Sequence, residues 1–275
     1  MMGVSTVSRD RFNVASGFQP LMRRIGLDAE AVFTHPDIKP WRTIADRQNC
    51  TLDFEDEDGR QSRWHVKRYT AVRARGATPA EREVAGIRLL QQAGIPTVPL
   101  LGWGVLADRR SFVIIEDLAG YRPGDTLLDA GGAAFEQLLE PTSDLAAKLH
   151  ASGLHHRDLY LCHFFVKTGD SARVDLRLID CARVKRLPSL LTRNRWVVKD
   201  LSQFWYSTYK HPQITDAQRE AWLRRYAAQS GVEDFEKLRR RVRRKVQWIA
   251  RHDVKLNRAQ PDRNISIPTP SAGGA

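Results

Sequence analysis

The spacing of apolar residues changes character several times along the chain. Between residues 49 and 69 it is short and strand-like. Thr51, Leu52 and Phe54 predict one strand, and Trp64, Val66 and Tyr69 predict a second. Between them Glu55-Asp56-Glu57-Asp58-Gly59 is a polar turn ending in glycine. From Pro79 the period lengthens to that of a helix, with Ala80, Val84, Ile87 and Leu90 on one face. Gly94 ends that helix, and Ile95-Pro96 leaves it extended. Residues 98–105 and 111–115 read as two further strands joined by Asp108-Arg109-Arg110, with Glu116-Asp117-Leu118 directly after. Residues 1–40 have no such rhythm. Phe12, Phe18 and Phe33 are isolated, and His35-Pro36 and Lys39-Pro40 break any long element, which leaves room for two short helices or turns.

The second half is mainly helical in pattern. After a loop-rich stretch at 120–132, Phe135, Leu138, Leu139, Leu145, Ala146 and Leu149 mark a helix, with Pro141 as the point where it can split in two. A dense polar cluster at 155–163 follows. Phe164-Phe165-Val166 then predicts a strand, Lys167-Thr168-Gly169-Asp170 a turn, and Val174, Leu176, Leu178 and Ile179 a second strand ended by Asp180. Helices are expected within 196–209, over 217–228 and over 235–251. Trp205, Tyr206 and Trp222 read as core. The proline- and glycine-containing end reads as a disordered tail. The expected organisation is an N-terminal extension at 1–40, a β-rich part at 41–118, a larger helical part at 119–258 and the tail at 259–275.

Composition narrows the class. The 275 residues are 42% hydrophobic and 28% charged, which fits a globular protein and excludes collagen, a disulfide scaffold and wholesale disorder. Lys plus Arg number 44 against 32 Asp plus Glu, a net charge of +12. That balance favours anionic partners without choosing among nucleic acid, phosphorylated sugar and anionic lipid. Cys50, Cys162 and Cys181 are far apart and lack zinc-site or redox spacing, so a reducing compartment is expected. Neither a secretory leader nor a membrane span is read from the sequence, and a cytoplasmic protein is expected.

The candidate chemistry centres on His156-Arg157-Asp158-Leu159-Tyr160-Leu161-Cys162-His163 and, after the predicted hairpin, Asp180. A carboxylate, a ligand-like residue five positions on and a second carboxylate beyond a hairpin match the catalytic pattern of protein-kinase-like enzymes. Asp158 suits the general base for an attacking hydroxyl, and Asp180 suits Mg²⁺. His163 replaces the usual asparagine, where it would ligate metal or donate to phosphate. Arg157 binds phosphate or braces the loop, and bracing is the simpler role. Upstream, Lys67 with Glu83 would hold the α and β phosphates of ATP. Glu81 competes for Lys67 but faces another way on the helix. Backbone groups of Glu116–Leu118 would meet adenine, with Val66 packed on it, though Val66 is equally a core residue. No glycine-rich loop precedes Lys67. A phosphate-covering segment must come from the acidic turn or from 43–49, where Arg47 is a candidate contact. No Walker loop exists.

These strings resemble the lipopolysaccharide core heptose kinase and Kdo kinase family, whose fold is like that of protein kinases. The resemblance is carried by Trp64-His65-Val66-Lys67, Arg82-Glu83, Gly94-Ile95-Pro96-Thr97, the 156–164 segment, Ile179-Asp180 and residues 195–201, and it covers roughly 41–210. It implies an α+β bilobal architecture, with a small β-rich N-terminal lobe and a larger, mainly helical C-terminal lobe. It also implies ATP- and Mg²⁺-dependent phosphorylation of a core sugar at the cytoplasmic face of the inner membrane. Lys67 would bind phosphate with Glu83 as its partner. Asp158 would be the base and Asp180 the metal ligand, and in such relatives histidine also stands at the position of His163. By the kinase analogy, Asp200 would cap the loop's amides.

Residues 237–258 carry ten Lys plus Arg and one acid, Asp253. Leu238, Val242, Val246 and Ile249 form an apolar stripe along this stretch. The rest is a solvated helix surface or one facing anionic glycolipid or membrane headgroups. Other readings of the whole chain are a kinase for a different small hydroxylated substrate, a pseudokinase scaffold and a basic nucleic-acid-binding protein. The last is disfavoured because no reading module accompanies the basic residues.

Overall fold

The computed structural model describes residues 10–44, 46–56, 58–70, 75–128, 133–168 and 174–259. The expected tail beyond 259, part of the 120–132 stretch and part of the turn after Thr168 lie outside the described residues. The protein is mixed α+β and divides into two compact units, Met1–Arg88 with Val98–Ala119, and Leu89–Thr97 with Gly120–Ala275.

The first unit runs β1 (Arg11–Val14), α1 (Gln19–Arg24), α2 (Ala31–Thr34), β2 (Ile38–Ile44), β3 (Arg47–Glu55), β4 (Gln61–Tyr69), α3 (Pro79–Gln92), β5 (Leu100–Val105) and β6 (Ser111–Glu116). Its six strands form one antiparallel sheet in the order β1-β5-β6-β4-β3-β2. Residues before 40 thus supply an edge strand and two short helices. Lys39-Pro40 does not interrupt structure as the sequence led us to expect. Pro40 lies in β2, an outer strand, next to a register shift between Pro40 and Arg42. An outer strand has a side without a partner, so a missing N–H is tolerated there.

Period-two alternation sorts β4 between two faces. Trp64 and Val66 join Met22, Val32, Leu52 and Phe112 in a buried apolar core on one face. His65, Lys67 and Tyr69 fall on the other. Helix α3 starts with a reciprocal cap. The Thr78 hydroxyl accepts from the Glu81 amide at 3.3 Å, and Glu81 accepts from the Thr78 amide at 2.7 Å, with Pro79 at the first helical position. Its predicted face, Ala80, Val84, Ile87 and Leu90, is buried. Gly94 ends the helix at φ 62°, a conformation that glycine adopts without strain.

The second unit contains β7 (Arg122–Pro123), α4 (Gly124–Leu127), α5 (Ala133–Ala151), β8 (Leu154–His155), β9 (Phe164–Thr168), β10 (Val174–Leu178), β11 (Lys185–Arg186), α6 (Leu190–Ser207), α7 (Asp216–Gln229) and α8 (Phe235–Ala259). Strands β9 and β10 form the expected hairpin, extended by β7, while β8 pairs with β11. Helix α5 is continuous through Pro141 rather than split. The proline ring removes one donor, costing about 3 kcal/mol in a free helix. The turn around it is held from the side, because Trp222 Nε1 donates to the Thr142 hydroxyl at 3.0 Å and Ser143 donates to the Trp222 carbonyl at 3.2 Å. Helix α7 packs on α5 and α8 packs on α6. Phe204 and Trp222 stack at 4.0 Å between ring centroids in the core. The predicted stripe of α8, Leu238, Val242, Val246 and Ile249, is buried, and buried Asp253 accepts from the Tyr206 hydroxyl at 2.9 Å.

Candidate active site

In the first unit the polar face of β4 meets α3. Lys67 Nζ donates to Glu83 Oε1, and the Tyr69 hydroxyl donates to Glu83 Oε2. Glu83 is 1% exposed, so its charge is taken out of water against a cation and a hydroxyl. Glu81 does not compete. It is spent on the helix cap and on Arg11 Nη2 at 2.9 Å. Lys67 stands opposite Asn49, and Tyr69 opposite Arg47, on β3. Arg47 Nε and Asn49 Oδ1 are both buried and have no hydrogen-bond partner among the described residues. A sheet face with an ion pair and two unspent polar atoms suits a polar ligand.

Several features depart from the sequence reading. Val66 is fully buried in the core on the face opposite Lys67, so it does not belong to a base-contacting set. His65 shares the Lys67 face, and its Nε2 lies 2.6 Å from Asp117 Oδ1. The amides of Glu116 and Asp117 already donate to Pro99 and Arg63 at 3.1 and 3.2 Å. Among the described residues, no backbone bond engages the Leu118 amide in this segment. The acidic turn is also closed to phosphate, because the amides of Asp58 and Arg60 both donate to Asp56 Oδ1 at 2.9 Å. The 43–49 segment is instead the β2–β3 hairpin, with Arg47 opening β3.

In the second unit the 156–163 loop is shaped by α6. Asp200 is fully buried and accepts from the amides of His156 at 2.7 Å and Arg157 at 2.8 Å. Gln203 Oε1 accepts from the Leu159 amide at 3.3 Å, and Ser207 Oγ from the Leu161 amide at 2.9 Å. Lys199 donates to the Arg157 carbonyl at 2.8 Å. Burial opposes the charge on Asp200, but hydrogen bonds and nearby His150 outweigh it and hold the carboxyl below its usual range. Arg157, at φ 68°, braces the loop by stacking on Trp196 at 4.6 Å. On the far side Gly124 touches the loop. A Cβ there would meet the Leu161 carbonyl at 3.0 Å and the Phe164 carbonyl at 3.1 Å.

The loop presents its carboxylate beside the second one. Asp158 Oδ1 accepts from Arg183 Nη1 and Gln203 Nε2, both at 3.3 Å. His163 Nδ1 donates to the Asp158 carbonyl at 2.7 Å, leaving Nε2 3.7 Å from Asp180 Oδ2. The Ile179 amide donates to the His163 carbonyl at 3.0 Å, and His156 Nε2 donates to the Ile179 carbonyl at 3.0 Å. These bonds bring the end of the hairpin onto the loop, where Asp180 takes a left-handed conformation at φ 58°. Burial disfavours the imidazolium of His163. Cys162, Asp180 and the Asp158 carbonyl reverse that and push its pKa up to about 9. A hard divalent cation bound mainly by phosphate oxygens and water needs only one or two protein groups. Asp180 fits that demand, while Nε2 of His163 carries a proton at neutral pH and is placed to donate to phosphate. Among the described residues no group of three or more metal-binding side chains exists.

Gln203, Ser207, Lys199 and Arg183 were not singled out from the sequence as site residues. Asp200, Gln203 and Ser207 recur at helical spacing on one face of α6, and such a buried polar stripe was the available signal.

Comparison with known proteins identifies the family of the chain. The model of the lipopolysaccharide kinase (Kdo/WaaP) family matches residues 46–226, more than half of the chain. The lipopolysaccharide core heptose(I) kinase WaaP of Pseudomonas aeruginosa is 29% identical over 147 residues, 46% of this chain and 52% of the relative. WaaP of Escherichia coli K12 is 28% identical over 162 residues, 52% of this chain and 57% of the relative. The chain therefore spans about half the length of the curated relatives it matches. Among the described residues no helix is long and apolar enough to cross a membrane.

Proposed function

We propose that this chain, which belongs to the lipopolysaccharide kinase (Kdo/WaaP) family, transfers the terminal phosphoryl group of ATP to a sugar hydroxyl of the lipopolysaccharide core, of heptose or Kdo type. The observation that carries the reading is the 156–163 loop. Its amides are clamped by α6, its Asp158 carboxylate is partly exposed, and its His163 faces Asp180. Family membership and the kinase names of the relatives support it further. The reading carries with it a bilobal, protein-kinase-like arrangement and, for such an acceptor, work at the cytoplasmic face of the inner membrane.

In this mechanism the acceptor hydroxyl attacks phosphorus, its proton passes to Asp158, and the bond to the ADP oxygen breaks in line. Lys67, oriented by Glu83 and Tyr69, holds the phosphates, with Arg47 as an additional donor. Mg²⁺, when bound, would be held by Asp180 and would neutralise phosphate charge, and protonated His163 would donate to a phosphate oxygen. Asp158 is placed as base for the acceptor hydroxyl itself, so transfer is direct rather than through a phosphoenzyme.

The test is a phosphotransfer assay with Mg-ATP that offers core-oligosaccharide lipid, free heptose and a generic protein side by side. Labelling of the glycolipid or heptose, lost in Asp158→Asn, is expected. Labelling of none of the three, or full activity in both Asp158→Asn and Asp180→Ala, would overturn the assignment.

A further inference from the structure

Helix α8 has two basic faces with different surroundings. On one, Arg239 and Arg243 pair with Glu220 of α7 at 3.1 and 3.6 Å, and also with Glu236 and Asp216. On the other, Arg241, Arg244 and Lys245 turn toward α6 and meet Arg195, Lys199 and Arg157. These six cations line a groove of about 570 Å³, and no acidic residue lines it among the described residues. Two tryptophans complete the wall and support the charges. Arg157, Arg195 and Lys199 all lie over Trp196, at 4.6, 5.6 and 5.7 Å, and Lys245 lies 3.4 Å from the ring centre of Trp248.

The indole faces are thus used to hold cations, while donors remain unspent. Arg157 Nε is buried without a hydrogen-bond partner. Burial first, and then neighbouring cations, lowers the pKa of Lys199 to about 8 and also lowers that of Lys245. Like charges gathered in a concavity without counter-charge repel one another, and an anion relieves that repulsion.

We propose that this groove between α6 and α8 binds the acceptor through its anionic groups, and that its ligand is a saccharide bearing phosphate or carboxylate groups. The proposal rests on the phosphotransferase reading for the word acceptor, because Arg157 belongs both to the groove and to the loop that presents Asp158, and Lys199 of α6, also in the groove, donates to the Arg157 carbonyl. The volume lies in the small-molecule range and far exceeds a single phosphate. A membrane surface is the poorer occupant. An interfacial helix needs an exposed apolar face, and the apolar stripe of α8 is buried within its own unit.

Calorimetric titration of the full chain without nucleotide tests this. The probes are deacylated phosphorylated core oligosaccharide, the same oligosaccharide dephosphorylated, inorganic phosphate, phosphatidylglycerol vesicles and a single-stranded oligonucleotide. The phosphorylated oligosaccharide should bind at least tenfold more tightly than the dephosphorylated one and than phosphate. The Arg241→Gln/Arg244→Gln double variant should weaken that binding at least tenfold. Arg239→Gln/Arg243→Gln, on the paired face, should change it less than twofold. Equal binding of the two oligosaccharides, equal losses in the two double variants, or tighter binding of vesicles or oligonucleotide would overturn the proposal. The readout needs no turnover, so failure of phosphotransfer with intact oligosaccharide binding would indict the kinase reading alone. ATP turnover with no oligosaccharide binding would indict the groove alone.

Discussion

The two sets of candidate catalytic groups are built by different means. Lys67 and Glu83 sit on a central strand and a capped helix, so regular backbone geometry places them and one buried ion pair joins them. Asp158, His163 and Asp180 sit on irregular backbone that includes two left-handed non-glycine residues, Arg157 and Asp180. Side chains of α6 satisfy that backbone from 43 to 46 positions away in sequence. A strand keeps its geometry when one side chain changes. A loop of this kind keeps it only while its clamps remain, so damage to the first set should cost ligand binding and damage to the second should cost the fold as well.

Asp158→Asn gives the largest effect and sharpens the contrast from the catalytic side. Loss of a general base reduces turnover about 10²–10⁴-fold, with nucleotide affinity near that of the parent, checked by single-turnover kinetics beside nucleotide titration. Asp200→Ala breaks the loop without touching Asp158. It leaves two buried amides and His150 without their acceptor, at a cost of about 3–5 kcal/mol in denaturant unfolding, with turnover lost.

Acid should act on the same region. Burial lowers the pKa of His155 to about 4 and also lowers that of His156, so both rings are neutral in the fold. Below about pH 6.5 the unfolded chain binds protons that the folded chain refuses. Stability contributed by neutral His155 is therefore complete above pH 6.5 and falls by up to about 3 kcal/mol on descending to pH 4. His155→Phe should flatten thermal-melting temperature across that window, and an unchanged slope would contradict the assignment. The smallest effect is expected in the first set. Glu83→Gln keeps a partner for Tyr69 and leaves the partly exposed Lys67 amine near water. Unfolding should shift by about 1 kcal/mol, while nucleotide affinity falls about tenfold.

Much of this was legible because it is local. Helical spacing put Glu83 at the edge of the buried face of α3, and the heptad-like stripe of α8 named its buried residues. The family resemblance named the Kdo/WaaP kinases, and the family match bears that out. Non-local features were harder to see. Strand β1 has four residues and exists through pairing with β5, some ninety positions on. Pro40 looked like a breaker because nothing nearby marks β2 as an edge. Pro141 looked like one too, because the support for its turn comes from Trp222. Val66 is different. Adjacent residues on a strand point to opposite faces, so its separation from Lys67 was available from period two alone.

The reach of the α6 clamps bears on biosynthesis. The loop is translated well before Asp200, Gln203 and Ser207, and the amides of His156, Arg157, Leu159 and Leu161 lack these acceptors until those residues leave the ribosome. The nascent first unit can pair all six of its strands by Glu116, whereas the 156–163 segment must wait, hydrated and unshaped, for a helix ending at Ser207. A stalled or truncated chain ending before that helix would hold an ordered sheet and a shapeless loop.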